Sequence, residues 1–196
     1  MSLRTGDIVL FNERPPCGMM AVADWLIRTC TRSEFSHVGI VVVDPPWTEP
    51  GTYVWDSSMH SFAGPEDPKP RFGIQLVRLD DYQHHYSGKQ TLYKRSPVSE
   101  ETYALFDNAF LTRIHDKVYG KHYDLYPSHW LAGVFHILIP RTTSTFFCSA
   151  FVSYCLCQAG VLDPDTDWTI VSPADLSTIS QRLHWKLEYG PEIEIS

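Results

Sequence analysis

Five cysteines and nine histidines are the residues of this 196-residue chain best suited to covalent chemistry. One of each stands in a context that favours a reaction. Cys148 falls in the first turn of a predicted helix, residues 145–159, which Thr143/Ser144 open and Gly160 closes. A helix N-terminus carries unpaired N–H groups and positive potential, which favour thiolate over thiol and can hold a developing oxyanion. His37 begins the β-branched run Ser36–Val43, a rigid place from which an imidazole can face that helix. A thiolate beside an imidazolium is an activated pair for acyl transfer. On spacing alone Cys148 fits a buried structural thiol better, because free cysteine is among the most buried residue types. Spacing alone leaves both readings open.

Other constellations are weaker. Cys155-x-Cys157 lacks the spacing of a structural zinc site, and two residues apart on a helix point to different faces. His84-His85 lies in a polar stretch that reads as solvated surface. Lys+Arg number 16 against 23 Asp+Glu, a net charge of −7, which disfavours nucleic acid as a partner. No run of apolar residues reaches the length of a membrane span. The longest, Trp130–Ile139, contains His136. The first residues lack the apolar core of a signal peptide. With an odd cysteine count and no small-scaffold spacing, this predicts free thiols in a reducing, cytoplasmic setting.

The elements that would position these residues read as one α+β domain over 1–196. Strands are predicted at Gly6–Phe11, Ser36–Val43, Tyr53–Asp56, Gly73–Leu79 and Gln90–Lys94, and a last one through Leu183, Trp185, Leu187 and Tyr189. The Ser36–Val43 strand is apolar on both faces and so central. Residues 58–72, with Pro65, Pro68 and Pro70, read as a loop, and Asp80–Lys89 as a polar connection. Helices are predicted over 18–30, from a Ser99 cap to about Lys117 with Phe106, Ala109, Phe110 and Ile114 inward, and over 128–139. Residues 119–124 read as a loop. Ser172-Pro173-Ala174-Asp175 is a capping box with proline at the first helical position. Aromatic residues make up 13% of the chain; most belong in a core, though Trp130, Phe135 and Tyr154 would also suit an apolar pocket.

Five stretches in chain order resemble the circularly permuted, NlpC-like branch of the papain-fold cysteine peptidases, the YiiX/YaeF-type proteins and their poxviral relatives. They are Thr5-Gly6-Asp7-Ile8-Val9-Leu10, the run from Trp25 through Ser36-His37-Val38-Gly39-Ile40, Gly120-Lys121-His122-Tyr123-Asp124, Phe147-Cys148-Ser149-Ala150-Phe151-Val152, and Ser172-Pro173-Ala174-Asp175-Leu176. The histidine strand precedes the cysteine helix, as in that group and opposite to papain. The resemblance implies a permuted papain-like fold, with an antiparallel sheet of five or six strands packed on the nucleophile helix. It implies Cys148 as nucleophile and His37 as proton carrier, with an acid on the next strand, here Asp56 where the group usually has Glu. It makes Tyr123 and Asp124 candidate substrate-binding residues. Ala150 departs from the group, which usually carries Glu there.

The expected activity is cysteine-dependent hydrolysis of an amide or ester through an acyl-enzyme on Cys148. The alternatives are a lipid acyltransferase or phospholipase-like thiol enzyme, and a non-catalytic ligand-binding module on the same fold. The expected partner is a small-molecule, peptide-like or lipid-like acyl substrate. No cofactor or metal is expected, because a thiolate supplies the nucleophile and water can resolve the acyl-enzyme. The thiol reading makes a direct prediction. Native protein, denatured without reductant, should titrate all five cysteines as thiols; recovery of only three would reveal a disulfide and contradict the reducing setting.

Overall fold

The computed structural model describes residues 2–13, 34–58, 63–67, 69, 72–85, 90–123 and 145–195. Its centre is a six-stranded antiparallel sheet in the order β4-β3-β2-β1-β5-β8. The strands are β1 (Ile8–Glu13), β2 (His37–Val43), β3 (Thr52–Ser58), β4 (Gly73–Arg78), β5 (Gln90–Arg95) and β8 (Ile193–Ile195). Among the described residues there are four α-helices: α1 (Leu79–His85), α2 (Glu100–Ala104), α3 (Asn108–Val118) and α4 (Cys148–Gln158). Two-residue strands β6 (His122–Tyr123) and β7 (Thr145–Phe146) pair in parallel. The architecture is α+β. No described helix is long and apolar enough to cross a membrane.

Period-2 alternation divides the sheet's side chains between two cores. Ile8, Leu10, Val38, Ile40, Val42, Tyr53, Trp55, Ile74 and Leu76 form one face and pack with α4. Val9, Phe11, Val41, Val54, Val77 and Leu92 form the other, covered by Tyr82 of α1. Strands apolar on both faces are therefore buried on both, which is why β2 sits inside the sheet with β1 and β3 as neighbours. Helix α4 is buried from Cys148 to Cys157. It ends where Gly160 adopts φ 76°, the left-handed cap conformation that glycine takes without strain.

Several elements differ from the sequence-based expectation, each for a local reason. The segment expected as a polar connection contains α1, because Leu79 and Tyr82, one helical turn apart, reach the second core. The helix expected from Ser99 to Lys117 is two helices. Ser99 caps α2 by accepting from Thr102 N, and Asp107 takes an extended conformation and caps α3 by accepting from Phe110 N at 2.7 Å. The restart shifts the helical phase, so Leu111 rather than Ala109 joins Phe110 and Ile114 inward. Residues 145–146 form β7, and α4 begins at Cys148 with Phe147 as N-cap. Residues 122–123, expected as loop, pair with it. The alternating Leu183–Tyr189 segment makes only isolated bridges, Leu162 with Trp185 and Pro97 with Tyr189. The strand that closes the sheet is Ile193–Ile195. The helices expected over 18–30 and 128–139 lie outside the described residues.

One glycine sets how closely β2 and β3 approach. A Cβ on Gly39 would stand 2.4 Å from Val54 Cγ1 and 3.4 Å from Asp56 Cβ. Gly39→Ala should therefore destabilise the protein by about 1–3 kcal/mol, the range for overpacking a filled core. Urea unfolding measures this; an unchanged midpoint would mean that β3 yields freely.

Candidate active site

His37 is the first residue of β2, so its ring stands at the end of the sheet. Asp56 belongs to β3, whose ladder with β2 pairs Ile40 with Trp55 and Val41 with Val54. The two strands bring His37 Nε2 to 2.6 Å from Asp56 Oδ2. The carboxylate is fully buried, while the histidine side chain keeps 17% of its surface exposed. A buried carboxylate is stable only if donors meet it. Tyr82 supplies a second one, its hydroxyl donating to the same Oδ2. Phe11 packs against both donor rings, its ring centroid 5.0 Å from that of His37 and 5.2 Å from that of Tyr82.

Cys148 comes from the other layer. It is 5% exposed and opens α4. It stands near enough to His37 for its charge to act on that ring. Since Nε2 donates to Asp56, Nδ1 is the ring nitrogen that Asp56 leaves free. Burial alone would disfavour the imidazolium. It is outweighed by the Cys148 charge and by the hydrogen bond to Asp56, so His37 titrates well above the ordinary imidazole range.

The α4 N-terminus is tied down on two sides. Ser57, next to Asp56 but pointing to the opposite face of the sheet, donates to Phe146 O at 2.7 Å. Ser57 thus anchors the segment leading into Cys148. Ser149 donates to Val171 O at 2.6 Å. Val171 precedes the 3-10 turn Pro173–Leu176, whose capping box joins Ser172 to Asp175. Asp175 Oδ2 also accepts from Arg182 Nη1 at 2.9 Å. The Phe147 N-cap makes no side-chain cap bond, so no N-cap side chain occupies the N–H groups of the first turn. A serine or aspartate there would consume a donor that an oxyanion can use.

Thus the structure pairs His37 with Asp56, and the charge of Cys148 acts on the same ring. For Tyr123 it shows the backbone pairing with Phe146, two residues before Cys148. Asp124, Trp130 and Phe135 lie outside the described residues. Tyr154 packs against Phe146 and Trp168 in the core, with ring centroids 5.5 and 5.4 Å away. Ala150 is buried. Sequence reasoning missed Tyr82 and Phe11 as neighbours of the site. The one available signal was the Leu79/Tyr82 spacing in an otherwise polar stretch. No protein-family model matches the chain, and no curated protein does.

The raised His37 value fixes a direction for pH dependence. Such a group stabilises the fold in full below the unfolded imidazole's value, about 6.5, and loses that contribution as pH rises through the folded value. Nitrogen-15 NMR should find His37 protonated at neutral pH. Cys148→Ala should lower its titration point, since the raising effect of Cys148 on the ring is lost. A wild-type ring titrating at the ordinary value would contradict the pairing.

Proposed function

We propose that this chain is a cysteine-dependent hydrolase that cleaves an amide or ester through an acyl-enzyme on Cys148, within the permuted NlpC-like papain-fold group. The reading rests above all on one arrangement, His37 held between Asp56 and a cysteine at the start of a helix. The resemblance of the five ordered stretches supports it.

In this mechanism the Cys148 thiolate attacks the carbonyl carbon, and the carbonyl electrons move onto oxygen. The Cys148 N–H, at the positive end of α4, donates to that oxyanion. As the tetrahedral species collapses, His37 gives its proton to the departing amine or alkoxide, leaving a thioester. Neutral His37 then takes a proton from water as the water oxygen attacks the thioester. Collapse expels the thiolate and releases the acid, with the proton back on His37. Asp56 stays ionised throughout, orienting the ring and stabilising its charged form. The same reading places the protein in a reducing, cytoplasmic environment. A thiolate nucleophile must remain reduced, and Cys148, Cys155 and Cys157 are free thiols.

Iodoacetamide labelling at neutral pH, followed by peptide mass spectrometry, tests the nucleophile. Cys148 should react well ahead of the other four thiols. A panel of activated aryl esters and amides, with lipid-like and aminoacyl groups, should trap an acyl adduct on Cys148 and separate the substrate classes. Cys148→Ala should abolish turnover with a stability change within about 1–2 kcal/mol. Asp56→Asn should cut turnover by at least about a hundredfold while the protein stays folded, because the orienting acceptor is lost. Labelling of Cys148 no faster than the rest, with no adduct from any acyl donor, would refute the hydrolase reading.

A further inference from the structure

Tyr82 takes no part in the proton path above, yet its hydroxyl donates to the carboxylate oxygen that also receives His37. Both partners are inside the protein, Tyr82 at 1% and Asp56 at 0% exposure. An ionised carboxylate offers about four acceptor positions over two oxygens. Here both donors converge on Oδ2, and Oδ1 has no partner among the described residues. A carboxylate held by one donor turns readily about its Cβ–Cγ bond, because that terminal torsion is broad and nearly two-fold. Two donors from separate elements hold it where their directions cross. Tyr82 comes from α1 and His37 from β2, and the Phe11 ring packs against both.

We propose that Tyr82 is a positioning residue: its hydroxyl pins Asp56 Oδ2, so that His37 carries its proton on Nε2 and turns Nδ1 to Cys148. The functional side of this rests on the reading that His37 serves Cys148. The effect on His37 stands on the geometry alone. A hydroxyl donor also draws negative charge off the carboxylate, which by itself would weaken the hold of Asp56 on an imidazolium. The two effects have opposite signs. Removing a hydroxyl that acted only on charge would raise the titration point of His37. Removing the pin lowers it, because the Asp56 hydrogen bond is one of the interactions keeping the ring protonated.

Tyr82→Phe separates them, since the ring stays in place against Phe11 and only the hydroxyl is lost. The measurements are nitrogen-15 NMR of the His37 ring across pH, the iodoacetamide rate at Cys148, and the melting temperature. The pin predicts a titration point lower by about one pH unit, and both neutral tautomers of His37 at alkaline pH where wild type shows the Nε2–H form. It predicts Cys148 alkylation slowed by about tenfold at neutral pH, the order expected for one hydrogen bond to a charged group. In an Asp56→Asn background, Tyr82→Phe should change neither the His37 resonances nor the alkylation rate further, because Tyr82 acts through Asp56. A His37 titration point that holds or rises in Tyr82→Phe, with a single Nε2–H tautomer, overturns the proposal. So does a further shift of the His37 resonances in the double variant. If wild-type Cys148 reacts no faster than the other thiols, the hydrolase reading fails, and the His37 resonances still decide for or against Tyr82.

Discussion

A carboxylate with no solvent exposure needs hydrogen-bond donors, and the surroundings of Asp56 are organised by that need. Its Oδ2 receives His37 from β2 and Tyr82 from α1. Gly39 keeps the space beside Val54 and Asp56 clear, since any side chain there would collide with Val54 first. Phe11 of β1 packs against both donor rings. Three elements, β1, β2 and α1, thus close around a single charged group on β3.

The neighbouring residue, Ser57, serves the other layer. Strand alternation sends consecutive side chains to opposite faces, so Asp56 and Ser57 cannot share a function. Ser57 instead holds Phe146 O and fixes the short β7 that leads into α4. One dipeptide of β3 therefore sets the position of the imidazole on one side of the sheet and of the cysteine-bearing segment on the other. The two meet because His37 is the first residue of its strand. A histidine further along β2 would have the sheet itself between it and α4.

The stretches that resemble the permuted cysteine peptidases do different physical work in this chain. The capping box at Ser172 and Asp175 braces the turn that receives Ser149, and so acts on the α4 N-terminus indirectly. Asp7, in the opening stretch, is buried and tied to Tyr103 at 2.8 Å and to the backbone of Arg4, which belongs to β1's entry and not to the site. His37, Gly39 and Cys148 act at the site itself. A shared motif string thus mixes scaffold positions with positions at the candidate site, and only the contacts sort them.

Much of the architecture was legible in the sequence. Strands β1 to β5 follow from β-branched and aromatic runs bounded by glycine and proline, and the α+β class follows from their order. The end of α4 at Gly160 and the capping box at Ser172 are local signals that the fold obeys. Cys148 and His37 could be singled out from helix and strand positions, because dipole and strand registration are properties of short segments. What local pattern did not determine was decided by tertiary contact. Helix α1 exists because the second core accepts Tyr82, and Leu183–Tyr189 fails to form a strand although it alternates, because the place beside β5 is taken by Ile193–Ile195. The pairing of Tyr82 with Asp56 joins residues 26 apart in sequence. No propensity or spacing encodes such a contact, since it exists only once a sheet face and the helix covering it have closed over a charge.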